Sequence, residues 1–140
     1  MTDLMIDPHT FDAWLIGARS EEVRASKMTS RTIMGQTLIF FRDEAGRAVA
    51  LDSRCPHKGV SLVQGRLRKG EVQCAYHGWR FDSAGKCTHV PSALPGEELP
   101  CARLQRFPVV EQDGWVWIFW GDAPEEARGR PPRFPLHEEY

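Results

Sequence analysis

No apolar run in this chain approaches the roughly 18 residues that a membrane-spanning helix needs, so the sequence offers no case for a helical membrane protein. The opening stretch, MTDLMIDPHTFDAW, lacks the basic start and apolar core of a secretory signal, and a cytoplasmic location is the expectation. Sustained 3.6-residue periodicity, internal repeats and low-complexity tracts are also missing, which leaves no case for a helix bundle or a repeat array. Net charge is only −1, and neither nucleic acid nor membrane is an expected partner. Cysteine is scarce, with four in the chain. Cys55 and Cys74 each stand near a histidine, leaving Cys87 and Cys101 as a spare couple of unassigned role. Spacing does not exclude a disulfide between them, but a reducing compartment favours two free thiols.

What the sequence does hold is enough for one domain with a core. There are 140 residues, 41% apolar and 26% charged, with five tryptophans. Short β-branched and aromatic runs dominate: 14–18, 37–43, 48–52, 71–75, 80–82, 106–112 and 115–121. Between them lie turn signals at DEAG (43–46), RKG (68–70), DSAG (82–85) and QDG (112–114). The reading is an all-β domain of short antiparallel strands. WVWIFW (115–120) reads as a central strand covered on both faces, and TFDAW (10–14) as one helical turn. The text changes at Ala123 to APEEARGRPPRFPLHEEY, so residues 1–123 form the expected domain and 124–140 a Pro-rich, charged linker or tail.

Charge is uneven. From Arg54 to Lys86 the net is +5, and the remainder sums to −6. Either this is a solvated loop surface, or it is a docking face for an acidic partner.

The same basic segment carries Cys55-x-His57, sixteen intervening residues, then Cys74-x-x-His77. Structural zinc knuckles take like ligands from each loop, whereas each loop here offers one thiolate and one imidazole. Such mixing suits a [2Fe–2S] rhombus with both cysteines on one iron and both histidines on the other. Zinc ligation and an accidental pairing are the competing readings.

CPHKGVSL (55–62) and CAYHGWRF (74–81) fit the patterns C-P-H-[R/K]-G-x-x-L and C-x-Y-H-G-W-x-F in full. They resemble the Rieske domain of Rieske non-heme iron oxygenases, the aromatic-ring-hydroxylating and demethylating enzymes. The likeness spans roughly residues 11 to 123, including TLIFFRDEAGRAVALDSRCPHKG before the first loop and VVEQDGWVWIFWGD at the close. High-potential respiratory Rieske proteins carry an extra disulfide-forming cysteine in each loop, which these loops lack. Rieske ferredoxins usually lack the Tyr-His-Gly-Trp string, Tyr76 to Trp79 here.

The resemblance implies a fold of small stacked antiparallel sheets with the cluster-binding loops at one end. It implies a Rieske [2Fe–2S] cluster with Cys55 and Cys74 on the inner iron and His57 and His77 on the outer. It further implies that Gly59 and Gly78 turn backbone amides toward the cluster, that Trp79 shields it, and that Pro91 belongs to a covering loop. A potential that falls as pH rises through the titration of the two histidine ligands is the corresponding expectation. The family's mononuclear iron site, D/E-x-x-H-x4-H, has no counterpart, because no two of His9, His57, His77, His89 and His137 are five apart. The expected role is therefore one-electron transfer, as the domain where electrons enter an oxygenase whose catalytic domain lies elsewhere. The chain is then an oxidoreductase component without complete catalysis of its own. A ferredoxin or flavin reductase is the expected donor, and an oxygenase domain or subunit the acceptor. The alternative is a stand-alone, ferredoxin-like carrier serving a separate oxygenase. Substrate, oligomeric state and reduction potential are not legible.

Overall fold

The structure is a computed structural model that describes residues 12–55, 61–75, 78–99 and 103–134. The strands are β1 (Ala13–Arg19), β2 (Thr29–Ile33), β3 (Gln36–Arg42), β4 (Ala48–Asp52), β5 (Arg66–Arg68), β6 (Glu71–Gln73), β7 (Arg80–Phe81), β8 (Cys87–His89), β9 (Arg106–Phe107), β10 (Val109–Gln112) and β11 (Trp115–Trp120). One short helix, α1, covers Glu125–Arg128. Every named strand pairing is antiparallel, in three sheets ordered β1-β11-β10, β2-β3-β4-β9 and β5-β6-β7-β8.

Alternation along the β3–β4 hairpin explains how the sheets stack. Successive strand residues point to opposite faces. Leu38, Phe40, Ala48 and Ala50 enter one core with Val116, Ile118 and Trp120 of β11. Ile39, Phe41, Val49 and Leu51 enter a second core with Leu62, Val72, Phe81 and Cys87. The middle sheet is thus buried on both sides, and each fully buried large side chain contributes about 1.5–3 kcal/mol. A bulge in β1 lies between Ile16 and Ala18, where Gly17 leaves space that the Phe40 ring fills; a Cβ there would sit 2.8 Å from that ring.

Turns set the register. Met34-Gly35, Lys69-Gly70 and Asp113-Gly114 have positive φ at both residues and link β2–β3, β5–β6 and β10–β11, as two-residue type I′ hairpins require. DEAG and DSAG build one turn twice. Asp43 Oδ1 accepts the amides of Ala45 and Arg47, and Asp82 Oδ1 accepts those of Ala84 and Lys86.

Three points differ from the sequence reading. Ala13 and Trp14 belong to β1, not to a helical turn, because their register with Trp120 and Phe119 captures them; Thr10 and Phe11 lie outside the described residues. The run 106–112 splits at Pro108, which has no amide to donate to a ladder. And β2, β5 and β8 had no sequence signal, being short strands at or near sheet edges with few apolar positions. The WVWIFW strand is central as expected, with Trp14 edge-on to Phe119 at 5.3 Å on its second face.

Candidate metal centre

Two loops open from the second core. The first follows β4. Its root is fixed by Ser53, whose amide donates to Thr37 O (3.1 Å) and whose carbonyl accepts from Leu62 N (2.6 Å), and by an Arg54–Ser61 bridge. Cys55 stands just inside that bridge with 2% of its surface exposed. The second loop follows β6 and closes on itself: Cys74 N donates to Trp79 O (2.8 Å) and Gly78 N to Cys74 O (3.1 Å). Cys74 is 3% exposed. Both cysteines belong to the same buried cluster, against which half-buried Trp79 packs. Two thiols 19 positions apart in sequence are therefore brought to one side of the core by two pinned loops.

A third loop lies over the second. Val90 is buried, and Ala93 N donates to its carbonyl at 2.9 Å, turning the chain at Pro91. A Cβ on Gly78 would come within 3.1 Å of the Pro91 ring, and Gly78 has φ +73°, so the site demands glycine on two counts. Gln73, one step before Cys74, donates its amide to Gly78 O at 3.4 Å. No sequence signal pointed to Gln73, whose role depends on its side chain spanning the loop.

His57, Gly59 and His77, with Tyr76, lie outside the described residues. Among the described residues no three His, Cys, Asp or Glu side chains converge as a metal site. His89 is exposed and joins no such group. Cys87 is a buried free thiol whose pKa burial pushes up, which keeps it protonated and inert; Cys101 lies outside the described residues.

The sheet beside the loops has two distinct faces. Its inner row is Leu67, Val72, Phe81 and Cys87, and its outer row is Arg66, Gln73, Arg80 and His89, matched strand by strand. Arg80 Nε and Thr88 Oγ1, at the β7–β8 bulge, are buried with no hydrogen-bond partner among the described residues. Ion pairs among the described residues lie elsewhere, such as Arg42–Glu111, Arg47–Asp43 and Arg133–Asp113. Glu71 stands opposite Arg68 on this face, and among the described residues Arg66 and Arg80 have no ion-pair partner, so the face is net basic.

Stacked antiparallel sheets bearing two pinned loops, each rooted by a buried cysteine and sequenced Cys-x-His or Cys-x-x-His, define an iron–sulfur domain. The chain belongs to the Rieske [2Fe-2S] domain family, whose model matches residues 13–108, and the family's cofactor is the Rieske [2Fe–2S] cluster. It is 41% identical over 130 residues to the 3-chlorobenzoate-3,4-dioxygenase oxygenase subunit of Comamonas testosteroni, covering 89% of this chain and 30% of that protein. The structure of apo dicamba monooxygenase superposes with a TM-score of 0.75 at 36% identity, covering 86% of this chain and 38% of that one. The reduced oxygenase–ferredoxin complex of carbazole 1,9a-dioxygenase matches at TM-score 0.75 and 27% identity, covering 91% and 34%. The chain spans about a third of the length of these relatives and aligns with their N-terminal part.

The donor set fits the cluster. Each loop offers one soft thiolate from inside the core and has an imidazole two or three positions further along its sequence. No helix among the described residues is long and apolar enough to cross a membrane.

Proposed function

We propose that Cys55 and Cys74 hold one iron of the cluster and His57 and His77 the other, and that the chain is the domain where electrons enter a Rieske oxygenase. The observation that carries this reading is the burial of Cys55 and Cys74 in one core at the roots of two hydrogen-bonded loops. When bound, the cluster supplies one-electron transfer. The protein's part is to hold four ligands in place. Core packing fixes the two thiols, and ligation takes them as thiolates, so metal binding releases their protons. Gly59 and Gly78 let backbone approach the cluster, while Pro91 and Trp79 exclude water from one side.

The net basic β5–β8 face, with Arg66 and Arg80 on it, suits an acidic electron donor, a ferredoxin or flavin reductase, and the carbazole relative was solved with a ferredoxin. Its acceptor in this reading is a mononuclear iron in a catalytic domain or subunit, and its setting is cytoplasmic. The chain does not complete an oxygenation by itself.

The test is iron and acid-labile sulfide analysis of the purified protein with spectra of both redox states. About two irons and two sulfides per chain are expected, with a paramagnetic reduced state. C55S and C74S should each abolish the cluster, and H57A and H77A should each do the same or leave it unstable. Zinc without sulfide, or a full cluster in C74S, would overturn the assignment.

A further inference from the structure

The cluster loops do not account for a second cavity, none of whose lining residues belongs to them. A depression of about 540 Å³ opens on the sheet formed by β1, β11 and β10, where the chain folds back after α1. Trp14 and Val109 form its apolar walls, and three guanidinium groups rim it: Arg106, Arg128 and Arg130. Glu125 is its one carboxylate, and it pairs with none of them. Arg106 and Arg130 make no side-chain hydrogen bond or ion pair among the described residues. Arg128 is held differently. Its Nε donates to Ala123 O at 2.9 Å and its guanidinium sits 5.6 Å from the centre of the Phe119 ring, which leaves the terminal nitrogens unbonded.

Three like charges around one hollow repel, whereas several arginines elsewhere are neutralised. Arg42, Arg47 and Arg133 each have a carboxylate partner. Here three guanidinium groups face one carboxylate, and apolar walls focus the net positive potential. The size lies within the range of small-molecule sites. The planar fork of arginine matches carboxylate in paired hydrogen bonds. We propose that this cavity binds a small organic carboxylate, its charged end among Arg106, Arg128 and Arg130 and its apolar body against Trp14 and Val109. The site is independent of the cluster and of the reading given for it.

The backbone supplies a built-in reporter. Trp14 Nε1–H donates to Arg128 O at 3.0 Å, so its indole resonance senses both the wall and the arginine-bearing segment. The cluster-loaded protein is titrated with sodium hexanoate, hexan-1-ol and inorganic phosphate while the indole N–H signals are followed by NMR, with W14F identifying the Trp14 signal. Hexanoate should shift that signal saturably. R106Q and R130Q should each weaken it by about tenfold, the loss of one charge-assisted hydrogen bond. R47Q, whose arginine pairs with Asp43 and does not line the cavity, should leave it unchanged. Hexan-1-ol binding as well as hexanoate, phosphate binding better, a shift that never saturates, or indifference to R106Q and R130Q would each overturn the proposal.

Discussion

Gly65 has an ordinary extended backbone, with φ −83°, and still admits no side chain. A Cβ there would collide with the carbonyl oxygen of Gln73 on the neighbouring strand. The constraint is space, where at Gly78 it is conformation and space together. Gly65→Ala is expected to cost about 1–3 kcal/mol, the usual range for overpacking, read as a lower urea midpoint at unchanged slope. Because Gln73 leads directly into Cys74, the same variant should also take up less iron. Full stability in Gly65→Ala would mean that β5 and β6 separate more easily than the packing indicates. This glycine was not legible in the sequence, since its reason lies across a strand pair. Cys55 and Cys74 were singled out by their spacing to a histidine, which is local chemistry, and the structure buries both in one core. His57 and His77 were named by the same spacing and lie outside the described residues.

Among elements, the turns were the most legible part of the fold. Asp-x-x-Gly at 43–46 and 82–85 and Gly at 70 and 114 declared reversals that the structure contains, and the strands between them followed. What stayed hidden were edge strands such as β5, whose sequence RLR has one inward residue and no second partner to favour it. Pairings between distant elements were equally silent. Arg42 of β3 donates to both carboxylate oxygens of Glu111 of β10, at 2.6 and 3.1 Å. That guanidinium holds the Glu111 carboxyl below its ordinary value of 4.5, outweighing the opposing effect of burial. A carboxylate whose pKa is lowered by folding stabilises the fold fully above its unfolded value and loses that contribution as pH falls through the folded one. E111Q should therefore cost about 1 kcal/mol at neutral pH, a figure discounted for partial exposure, and progressively less as pH drops below the ordinary carboxylate range. Denaturation of both proteins across that range checks the sign; a difference that grows on acidification would contradict it.

For the whole molecule, the sequence reading ended the domain at 123 and made the remainder a linker or tail. The part of it described, to Phe134, is bound back onto the first sheet. Gln112 Nε2 donates to Pro131 O at 3.0 Å, Trp115 Nε1 donates to Phe134 O at 2.7 Å, and the Trp115 and Phe134 rings stack at 5.8 Å. Asp113, at the tip of the β10–β11 turn, accepts from Arg133 Nε, Arg133 Nη2 and Phe134 N. Composition alone hid this, because proline and arginine signal a linker until their partners are known. Trypsin should cut slowly after Arg128 and Arg133 in the native protein, the Arg130–Pro131 bond being resistant in any case. D113N keeps a residue that tolerates the turn's positive φ but removes the charge, and it should speed those cuts several-fold. Equal rates would show that the segment detaches regardless of Asp113. The double burial of the β3–β4 hairpin has one more consequence, which concerns descent. A strand with a solvent face can absorb a one-residue insertion by exposing what it misplaces, but this hairpin has no such face, and a slip would exchange the occupants of both cores at once. Among descendants of this sequence, length changes should therefore gather in the loops and spare residues 36–42 and 48–52, even where the residues themselves drift.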